Sequence, residues 1–299
     1  MTPVHTAAAP QPKPKSAFID SATFASKSYK HGWLVEQIFV QGQPGVVGGP
    51  KKSLKTSLVL DLAVSLGTGT PFLGEFAVPK PRRVAVFSGE SGHATIQETA
   101  RRICKAKGVS LADCDVLWSF TLPRLHDDQA LKTLNQAIRD GGVQVVFIDP
   151  LYLCLLDGGA GSASNLYEVG PILRRATMAC LNAGATPVFV HHATKSGGKQ
   201  AASAIKPLEL DDLQFSGVSE FVRQWLLVSR AEPYQPGTGR HSLLLAAGGS
   251  AGQSGCWHLD IGEGVVGDDF QGRKWRVMVR DAEEVVQQMH LAAAENCKH

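Results

Sequence analysis

The sequence predicts an α/β fold: a mostly parallel sheet flanked by helices, with antiparallel strands added at its C-terminal side. Three observations predict it. Short runs rich in β-branched residues alternate with segments of helical period from about residue 45 to residue 192. Those runs are apolar throughout, the pattern of strands buried on both faces. From residue 225 onward the alternation gives way to strand-like runs separated by turn residues.

Taken in order, PGVVGG (44–49) is a short strand feeding a loop. SLKTSLVLDLAVSLG (53–67) places apolar residues at 54, 58, 60, 62, 63 and 66, a helix with its stop at Gly67. RRVAVFSGE (82–90) is a buried strand, and HATIQETARRICKAKG (93–108) a helix closed by glycine. VLWSF (116–120) is a strand and DQALKTLNQAIRDGG (128–142) a helix ending in glycines. VQVVFIDP (143–150) is a strongly apolar strand. LYEVGPILRRATMACLNAG (166–184) is helical with Pro171 in its first turns, and TPVFVHH (186–192) is the next strand. QWLLVSR, HSLLLAAG, CWHLDI and KWRVMVR read as antiparallel hairpins on one sheet edge, and AEEVVQQMHLAAAE (282–295) as a closing helix.

Of the 299 residues, 43% are hydrophobic and 19% charged, enough apolar material for one large domain. Residues 1–30 form a basic Pro/Ala-rich tail, flexible at least to residue 16, and residues 31–299 the folded domain. A net charge of +3 suits a polyanionic partner without requiring one. The six cysteines include no C-x-x-C pair, so buried reduced thiols are expected rather than a zinc or redox centre. With no apolar run near membrane length and no apolar signal core, the expected location is cytoplasmic, away from membranes.

The chemistry concentrates in GGPKKSLKTS (48–57). A phosphate cradle needs a strand, a turn rich in amide donors and a helix whose first turn faces the anion. Gly48, Gly49, Pro50, Lys51, Lys52, Ser53, Leu54, Lys55, Thr56 and Ser57 supply that order. Lys55 is placed to neutralise the terminal phosphates and Thr56 to hold Mg²⁺. The pattern G-x-x-x-x-G-K-[ST] wants glycine where Leu54 stands. At a helix start, ordinary backbone angles are acceptable, so the leucine is tolerable if its side chain turns into the core.

Three further residues end apolar strands. Asp149 is a candidate for the Mg²⁺ water shell opposite Thr56. Glu90 is a candidate general base for water attacking the γ-phosphate. His191 and His192 offer an imidazole to contact that phosphate. Taken singly, each has a plainer reading: a turn aspartate before Pro150, a helix N-terminal carboxylate, surface histidines. Ligands of open α/β sheets lie beyond the carboxyl ends of the strands, and all of these residues end at that edge. The combination points to ATP with Mg²⁺.

The set GGPKKSLKT, FSGE, FIDP and FVHHATKSG, over residues 32–250, resembles the RecA-type ATPases of the hexameric replicative helicase group. Within it the likeness is to the AAA-25 type, which includes the plasmid-replication helicase RepA. The resemblance implies a RecA-like core with the His192 strand between those of the loop and of Asp149. It also implies Glu90 as catalytic glutamate and His192, second of the pair, as the γ-phosphate sensor. It further implies an arginine from the next subunit, Arg223 by position with Arg230 and Arg240 in reserve, and hence a homo-oligomeric ring of hexamer type. Leu54 departs from the family pattern, as does GGSAGQSG (248–255), where related helicases carry basic residues.

A DNA-associated, helicase-like role in replication or repair leans on that resemblance more than on the candidate DNA loop, 193–206. Its Lys195, Lys199 and Lys206 could follow a phosphate backbone of single-stranded DNA, though it holds no aromatic residue to stack a base. The segment 156–164 is a second flexible loop, without positive charge. The alternatives are a non-motor regulatory ATPase acting on a protein partner, a small-molecule P-loop kinase and a non-hydrolysing nucleotide-binding scaffold.

Overall fold

The computed structural model describes residues 18–155, 166–194, 207–267 and 272–282. The chain divides into two compact units, Met1–His31 and Gly32–His299. Within the first, α1 (Ser21–Ser26) starts where Asp20 accepts the Thr23 amide at 2.8 Å and the Thr23 hydroxyl at 2.7 Å, a side-chain cap. The tail to residue 16, the loops 156–164 and 195–206, and the closing helix beyond Ala282 lie outside the described residues.

The second unit opens with a two-stranded ribbon, β1 (Trp33–Val35) and β2 (Phe39–Val40). There follow β3 (Gly45–Gly49), α2 (Lys55–Thr68), β4 (Val84–Ser88), α3 (His93–Lys107), β5 (Val116–Ser119) and α4 (Asp128–Gly141). Then come β6 (Val145–Asp149), α5 (Leu151–Leu155), α6 (Leu166–Leu181), β7 (Thr186–His192) and α7 (Ser216–Phe221). The chain continues as β8 (Gln224–Arg230), β9 (Arg240–Gly249), β10 (Ser254–Gly262) and β11 (Arg276–Asp281). Nine strands make one sheet in the order β11-β10-β9-β8-β3-β7-β6-β4-β5. From β8 to β5 all neighbours are parallel; β8, β9, β10 and β11 pair antiparallel. This is the mostly parallel α/β sheet of a RecA-like P-loop fold.

The apolar runs form strands because both faces of the sheet are covered. In β6 every residue is buried, with Val145 and Phe147 facing the layer of α2 and α3 while Val146 and Ile148 face the layer of α4 and α6. Val47 and Val46 divide in the same way in β3. A strand wrapped by helices on both sides has no solvent face to encode, so hydrophobicity replaces alternation. No described helix is long and apolar enough to cross a membrane.

Two boundaries differ from expectation. The helix after the loop runs through Gly67, which is buried within it, and is closed by Gly69, at φ 78° with its amide on Ser65 O at 2.8 Å. Helical period alone could not choose between the two glycines; the left-handed turn falls on the second. The run 224–230, expected as the first of the antiparallel strands, is parallel to β3 and antiparallel to β9. The crossover through α7 returns the chain to the amino edge beyond β3, so β8 joins the two halves of the sheet.

The antiparallel extension is fixed to the helices by buried ion pairs. Asp61 of α2, 1% exposed, takes the Lys107 ammonium at 2.9 Å, the Trp275 indole at 2.7 Å and the Leu73 amide at 3.0 Å. Glu263 after β10 takes Arg102 of α3 at 2.5 Å, Arg273 at 2.7 Å and a hydrogen bond with His241 at 3.1 Å. Burial alone would raise the Glu263 carboxyl; the His241 hydrogen bond and the two guanidiniums override it and hold the group down at about 2. Its folded value lies below that of an unfolded glutamate. The stabilisation is therefore full above an ordinary glutamate pKa, about 4.3, and is lost as pH falls from there towards about 2. Allowing for screening, Glu263→Gln should lower the unfolding free energy by about 2 kcal/mol near neutral pH. Urea melts of parent and variant should converge as the pH is lowered to about 2; a gap that persists there would show that the carboxylate charge is not the source.

Candidate active site

β3 leads into residues 50–54 and α2 begins at Lys55, the strand, turn and helix that a phosphate cradle needs. Gly49 is required by close approach: a Cβ there would lie 2.3 Å from the Val228 carbonyl oxygen of β8. Ser53 Oγ donates to Pro50 O at 2.8 Å and ties the turn across itself. No side chain caps the start of α2 and no acidic residue lies in its first turn, so no residue of the helix itself offsets the positive end that faces the loop.

Leu54 departs from the sequence expectation of ordinary angles. It sits at φ 63°, ψ 19°, in the left-handed region where the family pattern has glycine. A leucine there is strained by about 1–2 kcal/mol. Its half-buried side chain packs on the core that includes Leu58 and Leu62, which offsets part of that strain. Lys52 has φ 60° as well.

The other residues gather above the carboxyl edge of the sheet. Thr56 Oγ1 donates to Asp149 Oδ2 at 2.8 Å. The Lys55 ammonium, in a residue only 7% exposed, donates to Gly49 O at 2.9 Å and Pro50 O at 2.6 Å. Ser88 is in register with Asp149, and the Gly89 amide donates to Asp149 O at 2.8 Å, which brings Glu90 beside the same edge. His192 is in register with Gly49 on the adjacent strand. Lys55, Thr56, Glu90, Asp149 and His192 thus converge from four neighbouring strands. Lys51 and Lys52 are exposed on the outer side of the loop, and Ser57 is buried in α2.

Electrostatics follows from burial and from these neighbours. Burial pushes Lys55 down to about 8, against the pull of Asp149 and Glu90. Burial pushes Asp149 up to about 6, against the Thr56 hydrogen bond and Lys55. At neutral pH both groups carry their charges. Burial, then Lys55, lower His192 and favour its neutral imidazole. His191 is fully buried, bonds Gln214 O at 2.7 Å through Nε2, and is pushed by burial down to about 4. Of the pair, His191 is structural and His192 faces the site.

A protein-family model described as AAA domain matches residues 9–198, more than half of the chain. The chain belongs to the AAA domain family. The matched range contains Lys55, Thr56, Glu90, Asp149 and His192. No curated protein matches it.

An AAA domain implies a bound nucleotide and ATPase chemistry, ordinarily with Mg²⁺. The donor set fits that ion. Mg²⁺ keeps several waters and needs only one or two carboxylates besides phosphate oxygens. Thr56 and Asp149, already 2.8 Å apart, would hold it, and the described residues include no cluster of three or more His, Cys, Asp or Glu ligands suited to a dedicated metal cage.

Beyond the matched range of the AAA domain, the structure separates Arg223 from Arg230 and Arg240, which the sequence grouped. Arg223 lies at the opposite, amino edge, exposed, with its amide on Pro44 O at 2.9 Å and its guanidinium on Glu220 O at 3.1 Å. Arg230, at the carboxyl end of β8, donates to Lys52 O at 2.6 Å and lies 5.1 Å above the Tyr234 ring. Arg240 is exposed at the start of β9. GGSAGQSG is the β9–β10 turn at the amino edge, away from the loop. Sequence reasoning missed Tyr152, whose hydroxyl reaches Glu90. A residue whose partner is 62 positions away leaves no local pattern to read.

Proposed function

We propose that this AAA domain hydrolyses ATP in a ring of identical subunits coupled to single-stranded DNA, in the manner of a hexameric replicative helicase such as RepA. The observation that carries the hydrolytic part is the convergence of Lys55, Thr56, Asp149, Glu90 and His192 at one sheet edge. In this reading the α2 amides and Lys55 bind the β- and γ-phosphates, and His192 contacts the γ-phosphate as a neutral imidazole. Glu90 accepts the proton of the attacking water. Thr56 and Asp149 would hold Mg²⁺, which would supply charge neutralisation on the phosphates.

The ring and the DNA rest on two further features. Arg223 is exposed and remote from its own chain's Lys55, as an arginine donated to a neighbour must be. Lys195, Lys199 and Lys206 follow His192 in the sequence and offer positive charge to a phosphate backbone. The deciding experiment is the ATPase rate with and without single-stranded DNA, read beside oligomer size by light scattering. The proposal expects a ring in the presence of nucleotide and stimulation of roughly tenfold or more, each factor of ten being 1.36 kcal/mol off the barrier. Hydrolysis by a ring that ignores DNA would replace the motor with a regulatory ATPase acting on a protein.

A further inference from the structure

The Glu90 carboxylate is exposed, and an exposed glutamate on its own samples many rotamers. Here it does not stand alone. The Tyr152 hydroxyl donates to Glu90 Oε1 at 2.5 Å, and Tyr152 is its hydrogen-bonding partner among the described residues. The same ring lies 5.5 Å from the His192 imidazole, tilted by 42°. Tyr152 sits on α5, the turn that follows Asp149 and Pro150 directly. One aromatic side chain therefore touches the proposed base on one side and the proposed phosphate contact on the other, and is carried by the strand that brings the Mg²⁺ carboxylate.

We propose that Tyr152 is a positioning residue of the hydrolytic site, fixing the Glu90 carboxylate through its hydroxyl and tying it to His192 through its ring. The inference rests on the reading of Glu90 as general base. Two effects of the hydroxyl oppose each other. Donation to a carboxylate makes it a weaker base, by up to about tenfold for one neutral donor. Holding it in line with the water counts for more: displacement of a catalytic group by about an ångström costs up to about 10²-fold. The donor occupies Oε1 and leaves Oε2 open to a water, so orientation dominates. The pKa of the phenol, pushed up to about 12 chiefly by the Glu90 hydrogen bond, agrees with a hydroxyl that keeps its proton throughout.

The test is Tyr152→Phe, which keeps the ring and removes the hydroxyl. The expected result is a fall in kcat of about tenfold, with affinity for a fluorescent ATP analogue and the melting temperature unchanged. In a Glu90→Gln background the same change should alter the residual rate by less than about twofold, because Tyr152 acts through Glu90. An unchanged or raised kcat in Tyr152→Phe overturns the proposal, and so does an equal loss in both backgrounds. A parent chain that binds ATP and hydrolyses it in a Lys55-dependent manner keeps the underlying reading intact when this one fails. A parent without turnover overturns both.

Discussion

Lys55→Ala is expected to abolish the thermal shift that ATP would give the parent chain. A bound ligand raises stability by about 2.7 kcal/mol at a hundred times its Kd. Removing one partner of a buried charge pair costs about 3–5 kcal/mol, a loss of 10²-fold or more in affinity. The variant leaves the phosphates facing a cradle with its one buried cation gone. Misfolding is not the expected cause. Burial holds Lys55 near 8, below the value of a free lysine, so in the absence of nucleotide its charge is a burden to the folded state. That cost is present in full below about pH 8 and is relieved as pH rises from there. The nucleotide-free variant should therefore melt no lower than a few degrees below the parent. In the parent, ATP affinity should weaken as the pH rises through about 8 and the ammonium is lost. Unaltered ATP binding by Lys55→Ala, measured by calorimetry, would mean that the loop is not a phosphate site.

Glu90→Gln should separate binding from chemistry. The amide is isosteric and its oxygen can still accept the Tyr152 hydroxyl, so the geometry at the sheet edge survives. What disappears is the lone pair able to take a proton, and general-base catalysis contributes about 10²–10⁴-fold. The expected variant binds ATP within about threefold of the parent and releases phosphate at least about 10²-fold more slowly. Single-turnover phosphate release distinguishes this from slow product release. A rate equal to the parent's would remove Glu90 from the chemistry.

Much of this site is legible in the sequence because its parts are local. Lys55 and Thr56 declare themselves by standing at the start of a helix behind a glycine-bearing strand. Asp149 and His192 end apolar runs, and parallel strands covered on both faces have one functional edge. What is illegible is set by distance or by backbone conformation. The pairing of β8 with β3 follows from a crossover, and the run QWLLVSR would look the same in a hairpin. The Tyr152–Glu90 bond joins two strands' ends. Leu54 looks like an ordinary first helical residue, yet takes the glycine's left-handed conformation and packs its side chain inward. The pattern specifies a residue type, whereas the fold needs only a backbone shape.

The union of Gly49 with β8 has a mechanical corollary. With the Val228 carbonyl filling the space where any larger residue would stand, and Arg230 gripping Lys52, the strand beside the loop is its rigid abutment. In the proposed ring, a push on the added hairpins by an adjoining protomer would bear on the loop through this contact, and a change in the loop would act back on the hairpins in the same way.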